Sequence, residues 1–236
     1  MAAVFFRPSR TARRMSSPRK VSESTVRRLS SYLRILKELQ PEGTRTVSSD
    51  RLAELGGLTS AQVRKDLSFF GNFGVRGRGY DVVDLQNALT RILGLDHLWK
   101  AVVVGAGRLG SALTSYPEFG NQGFHIVGIF DVDRAKLGRR VGNCEIRSIE
   151  ELRAYAARES ILVGIIATPK SAAQDAADLL VAGGVRGILN FAPAALDVPA
   201  GVTVRNVNLA IELEGLSFAI TAANNVEAPV ETGDLD

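Results

Sequence analysis

The sequence predicts an α/β protein of two domains, an N-terminal winged helix-turn-helix and a C-terminal Rossmann domain built on a doubly wound parallel sheet. Three observations carry this. Basic charge is concentrated early: residues 1–80 hold 16 Lys/Arg against 6 Asp/Glu, a net +10, whereas the remainder of the chain is net −6. A glycine fingerprint, "KAVVVGAGRLG", stands at residues 100–110, a hundred residues into the chain. Beyond it, short apolar runs alternate with helical patterns, the βαβ rhythm of a parallel sheet.

Residues 1–20 carry six basic residues, no acid and no apolar period, which predicts a disordered basic arm. Residues 21–83 form the winged-helix domain. Val26, Leu29, Leu33, Leu36 and Leu39 recur at helical spacing until Pro41 and Gly43 end the run. "SSDRLAELGG" supplies a Ser cap, a short second helix and a glycine stop. In "TSAQVRKDLSFF", Thr59 and Gln62 have the spacing of a capping box for a third helix. Its residues Val63, Leu67 and Phe70 face inward, and Gln62, Lys65 and Ser68 face away. "GNFGVRGRGYDV" suits a hairpin wing bearing Arg76 and Arg78. Residues 84–96 are expected as a linker helix.

The Rossmann domain is expected over 97–207. Strands are predicted at 101–105, 124–131, 161–167, 185–191 and 202–207, with helices at 108–119, 148–157 and 171–182. A last helix spans 208–222, followed by a tail over 223–236. The single cysteine, Cys144, excludes an internal disulfide framework and fits a reducing cytoplasm. No apolar run reaches the roughly 18 residues of a membrane helix. Neither a membrane nor a metal ion is expected as a partner.

In Gly105-x-Gly107-x-x-Gly110 the first glycine makes a tight turn, the second lets backbone approach a pyrophosphate, and the third lets the helix pack close. Ala106, Arg108 and Leu109 complete the cradle. Asp131 ends the second strand, where it can accept bonds from the adenosine ribose hydroxyls and repel a 2′-phosphate, favouring NAD(H). Arg134 nearby argues the other way, and a Rossmann fold that binds no ligand, or another nucleotide, is the plainer alternative. No catalytic residue is assigned. A dehydrogenase needs a proton donor beside the nicotinamide. His97 and His125, the two histidines, fall at the wrong ends of their strands. Lys170 and Cys144 read as surface and packing residues.

At this point the chain resembles a known family, the bacterial redox-sensing repressor Rex, from about Val26 to Phe218. The resemblance rests on "SYLRILKEL", "QVRKDLSFFGNFGVRGRGYDV", "GAGRLGSALTSYPEFG", "IFDVD", "GILNFAP" and "NVNLAIELEGLSF". It implies a homodimer in which the 208–222 helix swaps across to pack between the partner's domains. Each winged helix then takes half of a palindromic double-stranded operator, and NADH releases the DNA while NAD⁺ permits binding. The resemblance puts Gln62, Arg64, Lys65 and Ser68 of the third helix and Arg76 and Arg78 of the wing on DNA. It places Tyr116 on the cofactor-facing helix and sets Thr168, Pro169 and Asn190 of "NFAP" beside the nicotinamide. Arg34, Tyr116 and the residue at 208 form the redox switch.

Two departures stand out. Asn208 occupies a position where the family typically has Asp, and an amide offers a neutral bond in place of a charge-assisted one. Phe69 and Phe73 stand where the family often has Tyr. Asn208 keeps open a second reading, a DNA-binding relative whose dinucleotide is structural. A third is an NAD-dependent dehydrogenase with a basic appendage.

Overall fold

A computed structural model describes residues 21–75 and 77–226, the last four by their backbone alone. The expectations for the arm over 1–20, for Arg76 and for the tail from 227 lie outside the described residues. The chain divides between Asp96 and His97 into two compact units.

The first unit opens with α1 (Glu23–Leu39), capped by Ser22, whose hydroxyl accepts the Thr25 N–H. Leu29, Leu33 and Leu36 are buried as their spacing predicts, together with Tyr32 and Ile35, but Val26 is 40% exposed. A two-residue strand β1 (Thr46–Val47) precedes α2 (Ser49–Gly56), which Ser48 caps and Gly57 ends in a left-handed conformation. The third helix, α3 (Ser60–Ser68), is followed by the wing strands β2 (Gly74–Val75) and β3 (Gly79–Asp81). β3 pairs antiparallel with β2 on one side and β1 on the other.

The helix expected as a linker over 84–96 is instead a fourth core element. It is α4 (Val82–Ile92), started by Asp81, whose carboxylate accepts the Val83 and Asp84 N–H groups. Val82, Leu85 and Leu89 fall on one face at helical spacing and are buried with the α1 leucines in a single core.

The second unit begins with β4 (Trp99–Val104), α5 (Arg108–Thr114), α6 (Pro117–Asn121) and β5 (Phe124–Asp131). A short hairpin follows, β6 (Arg140–Val141) and β7 (Cys144–Ser148). Then come α7 (Leu152–Arg158), β8 (Val163–Ile166), α8 (Ala173–Ala182), β9 (Gly187–Asn190), β10 (Thr203–Asn206) and α9 (Leu209–Val226). The strand order is β10-β9-β8-β4-β5-β7-β6, parallel except for β6 at the edge. The chain winds outward from β4 in both directions, so the switch point lies between β4 and β8, where this fold opens its ligand crevice. Ala101–Val104 are all buried, which is why β4 reads as an unbroken apolar run.

The helix expected over 108–119 is broken. Pro117 has no N–H and disfavours a helical conformation in the residue before it. Tyr116 is accordingly extended (φ −77°, ψ 112°) and caps α6, with Pro117 at its first turn. Tyr116 therefore sits at the break after α5, not on the helix. The last helix runs to Val226, four residues beyond the expected end. No helix among the described residues is long and apolar enough to cross a membrane.

Candidate dinucleotide site and nucleic-acid interface

The glycine turn follows directly from β4. Gly105 has φ +102°, a conformation costly for any side chain, and a Cβ there would lie 2.6 Å from the Ala167 carbonyl oxygen after β8. The turn thus wedges between the two strands at the switch point. A Cβ on Gly110 would collide with the Gly105 carbonyl oxygen, so only glycine lets α5 seat against the strand end. Gly107 is different: a Cβ there would meet nothing within 4 Å. Its bare backbone faces open space at the start of α5, the room a pyrophosphate needs. The first-turn amides of Arg108, Leu109 and Gly110 have no intrahelical acceptor by construction. Gly110→Ala is expected to displace α5 and weaken NADH binding by about tenfold or more, since overpacking costs ~1–3 kcal/mol. A titration followed by nicotinamide fluorescence checks it.

Asp131 ends β5 and is buried. Its Oδ2 accepts the Ala106 N–H at 2.7 Å and the Lys136 ammonium at 3.0 Å, and its Oδ1 accepts the Asp133 N–H at 2.8 Å. Burial alone would raise this carboxyl, but the two backbone donors and Lys136 prevail and hold it below the usual carboxylate range. It is a fixed anion that also shapes the glycine turn. Thr168, after β8, has a buried hydroxyl with no hydrogen-bond partner, and Pro169 beside it is exposed. A buried polar atom without a partner is costly unless a ligand satisfies it. Together with the open space at Gly107 and the anion at Asp131, it fits a dinucleotide.

Asn190 is fully buried and satisfied from within. Its amide donates to the Ala194 carbonyl and to Asn206 Oδ1, both at 2.9 Å, and its oxygen accepts the Ala192 N–H at 3.0 Å. Its side chain ties the "NFAP" turn to β10 and so sets the backbone that borders the crevice. Tyr116 is 51% exposed and meets Phe119 edge-on, with ring centroids 5.3 Å apart. Asn208 is exposed and accepts the Ala210 N–H at 3.0 Å, capping the start of α9. Arg34 lies exposed on α1, in the other unit. Neither histidine stands with these residues: His125 is exposed at the start of β5, the end remote from Asp131, and His97 precedes β4. Cys144 is a buried packing thiol whose Sγ donates to the Ile126 carbonyl at 3.3 Å, and burial pushes its pKa up.

In the first unit, Arg64, Lys65 and Ser68 are exposed along one side of α3. The Arg64 guanidinium donates to Ser49 at 2.9 Å, which aims it across the start of α2. Arg78 is exposed on the wing, and it shares with Arg64, Ser68 and Phe73 the lining of a groove of about 570 Å³ between α3 and the hairpin. Phe69 is 43% exposed at the end of α3, and Phe73 is partly buried against the core.

Gln62 departs from expectation. Thr59 caps α3 by accepting the Gln62 N–H at 3.2 Å, but the Gln62 side chain does not complete the capping box. It turns one helical step along and donates to Asp66 Oδ1 at 2.8 Å. Asp66 is 1% exposed and is also gripped by Arg28 through two bonds, 2.6 and 2.8 Å, and by the Tyr32 hydroxyl at 3.0 Å. Burial would raise its carboxyl, yet the bonds from Arg28, Tyr32 and Gln62 overcome this and keep it below the usual range. Burial and the bond to Asp66 drive the Tyr32 phenol well above its ordinary range. This network fastens α3 to α1, and no periodicity in the sequence marks it. Lys136, five residues past Asp131, was likewise not foreseen.

A winged helix-turn-helix with a basic outer face, carried on a chain with a Rossmann dinucleotide crevice, defines the class of ligand-responsive transcription regulators. Known proteins agree with both halves. Residues 20–68 match the family described as "Putative DNA-binding protein N-terminus", and residues 96–194 match "CoA binding domain". The redox-sensing transcriptional repressor Rex of Desulforamulus reducens is 50% identical over 199 residues, covering 84% of this chain and 95% of that one. Rex of Thermus thermophilus is 49% identical over 201 residues, covering 85% and 94%. Among solved structures, RSP in complex with β-NAD⁺ and operator DNA superposes with a TM-score of 0.83 at 39% identity, covering 88% of this chain and 95% of that one. RSP in complex with β-NADH gives 0.80 at 37% identity, covering 89% and 98%. The chain belongs to the Rex family of redox-sensing transcriptional repressors.

Proposed function

We propose that this protein binds a palindromic operator as a homodimer and releases it when NADH replaces NAD⁺. The observation that carries the reading is the pairing of an exposed basic α3 and wing with a crevice in which the buried Thr168 hydroxyl lacks a partner and Gly107 faces open space. Bound there, the dinucleotide supplies its redox state as a signal and transfers no hydride to a substrate. The glycine turn, Asp131, Thr168 and the "NFAP" backbone hold it. Arg64, Lys65 and Ser68 meet the operator, with Arg76 and Arg78 reaching phosphates from the wing. Gln62 acts from behind by holding Asp66. Arg34, Tyr116 and Asn208 form the switch that shifts the population between DNA-competent and DNA-incompetent states. The setting is the cytoplasm, without a membrane or a metal ion as partner.

The dimer is supported by α9. Leu209, Leu213, Leu216 and Ile220 make one apolar stripe, and Ile211 and Phe218 face the opposite side, all 58–76% exposed. A helix apolar on two sides belongs between two surfaces. A second copy supplies them if α9 swaps across. Anisotropy of a labelled palindromic duplex at fixed salt tests the function: retention in NAD⁺ and release in NADH is expected, and retention in both contradicts the sensing half. Asn208→Asp is expected to enlarge the NADH response, because a charge-assisted bond is roughly twice as strong as a neutral one. The ratio of operator affinities in the two nucleotides measures it. If only the variant responds, the second reading, a structural dinucleotide, is favoured.

A further inference from the structure

Asp131 is not the open carboxylate that reading a ribose by an acid suggests. Lys136 lies against it, with Nζ 3.0 Å from Oδ2, and the same ammonium is 3.8 Å from Asp133. Oδ2 already serves the Ala106 N–H and Oδ1 the Asp133 N–H, so the carboxylate is locked to the glycine turn before any ligand arrives. The Lys136 side chain is 34% exposed, so its ammonium meets solvent at the end of β5, beside the acid that would read the adenosine ribose. A 2′-phosphate approaching Asp131 therefore meets a carboxylate paired with a cation rather than a bare negative charge.

We infer that Lys136 is the residue that sets how strongly this site discriminates between NAD(H) and NADP(H). This rests on the dinucleotide reading of the site. Asp131 supplies the repulsion and Lys136 offsets it, so discrimination is lower with the lysine than without it. At this separation two unit charges near a protein surface interact strongly. Solvent screening of a partly exposed ammonium reduces this, and an effect of about tenfold on the affinity ratio is expected.

The test is binding, read by nicotinamide fluorescence, of NADH and NADPH to the full-length wild type and to Lys136→Met, Lys136→Arg and Asp131→Asn. In Lys136→Met the NADPH dissociation constant rises about tenfold more than that of NADH. Lys136→Arg keeps the charge and restores the wild-type ratio to within about twofold. Asp131→Asn, which removes the repelling charge and leaves the ammonium with Asp133 alone, moves the ratio the other way, towards NADPH. An unchanged ratio in Lys136→Met overturns the inference, as does a larger loss of NADH than of NADPH, which would mean that the lysine reads the ribose hydroxyls themselves. Should Lys136→Met fail to fold, Lys136→Gln, which also removes the charge, takes its place, with the same shift against NADPH expected and an unchanged ratio overturning the inference. Failure of the wild type to bind either nucleotide is a different result, and it removes the dinucleotide reading along with the inference.

Discussion

Replacing Leu213 and Leu216 of α9 by glutamate is expected to convert the protein to a monomer and to weaken operator binding by about a hundredfold or more. Fully burying one large aliphatic or aromatic side chain stabilises by about 1.5–3 kcal/mol. Six such side chains stand 58–76% exposed on this helix, and no buried cluster among the described residues includes them. Leu213 and Leu216 lie in the middle of the longer stripe, so two carboxylates there would be desolvated without partners if the helix were covered by a second copy. The loss of DNA affinity follows from valency. Two winged helices on two half-sites act as a linked pair, and separating them forfeits an avidity factor on the order of 10²–10⁴. Sedimentation velocity and operator anisotropy on the same sample measure both effects. An unchanged sedimentation mass contradicts the dimer, and a monomer that retains full affinity contradicts the two-half-site reading.

Asp66→Ala is expected to destabilise the first unit by on the order of 3–5 kcal/mol, the cost of breaking a buried ion pair from one side. Arg28 loses its two bonds to the carboxylate and keeps the one to Thr25, and Tyr32 and Gln62 each lose one acceptor. Arg28 and Tyr32 fasten α1 to α3 through this carboxylate, so the exposed row of Arg64, Lys65 and Ser68 loses its footing even where the unit stays folded. Operator affinity should collapse while NADH binding, which belongs to the second unit, persists. The same carboxylate predicts an acid limb. Its pKa is lower folded than unfolded, so between those values the unfolded state binds more protons and stability rises with pH. Its contribution is complete above the unfolded value of about 4 and is lost as pH falls through the lower folded value. Thermal melts across that range should show a steeper limb in the wild type than in Asp66→Asn, where Asp131 still contributes. A melting curve of Asp66→Ala that coincides with the wild type would remove the network from the account.

What the sequence disclosed was what depends on local period and backbone chemistry. The leucines of α1, the Ser and Thr caps of the second and third helices and the glycine turn are each written in a few consecutive residues. So is the apolar run of β4, because a strand buried on both faces has no polar interruption. β7 escaped for the opposite reason. In "CEIRS" only Cys144 and Ile146 point inward, a half-polar alternation without bulk, although Gly142–Asn143 before it is a hairpin signal. The break at Tyr116 was legible from Pro117 and was overridden by the apolar residues on either side.

The site divides in the same way. Gly105, Gly107, Gly110 and Asp131 stand where a strand-turn-helix reading places them. The partners of Asp66 lie 38 and 34 residues away on α1, and the lock on Asn190 comes from β10, 16 residues on. Such pairings exist only once elements pack, so the sequence does not disclose that the Asn190 amide is engaged with β10; the Gln62–Asp66 bond is an i,i+4 pair within α3, but the burial of Asp66 against α1 that gives it weight is not local. The apolar character of α9 was visible in its residues, but a helix cannot disclose from its own sequence what it packs against.

A dinucleotide in one unit is expected to change the grip of the other on DNA. Such coupling is reciprocal: if NADH weakens operator binding by some factor, operator weakens NADH binding by the same factor. The most direct measurement is the NADH dissociation constant of the full-length protein, free and saturated with a palindromic operator duplex at one salt concentration. NADH binding is expected to be at least about tenfold weaker on the operator complex, a coupling of about 1.4 kcal/mol. Equal affinities in the two states would contradict it, leaving a repressor whose dinucleotide does not report.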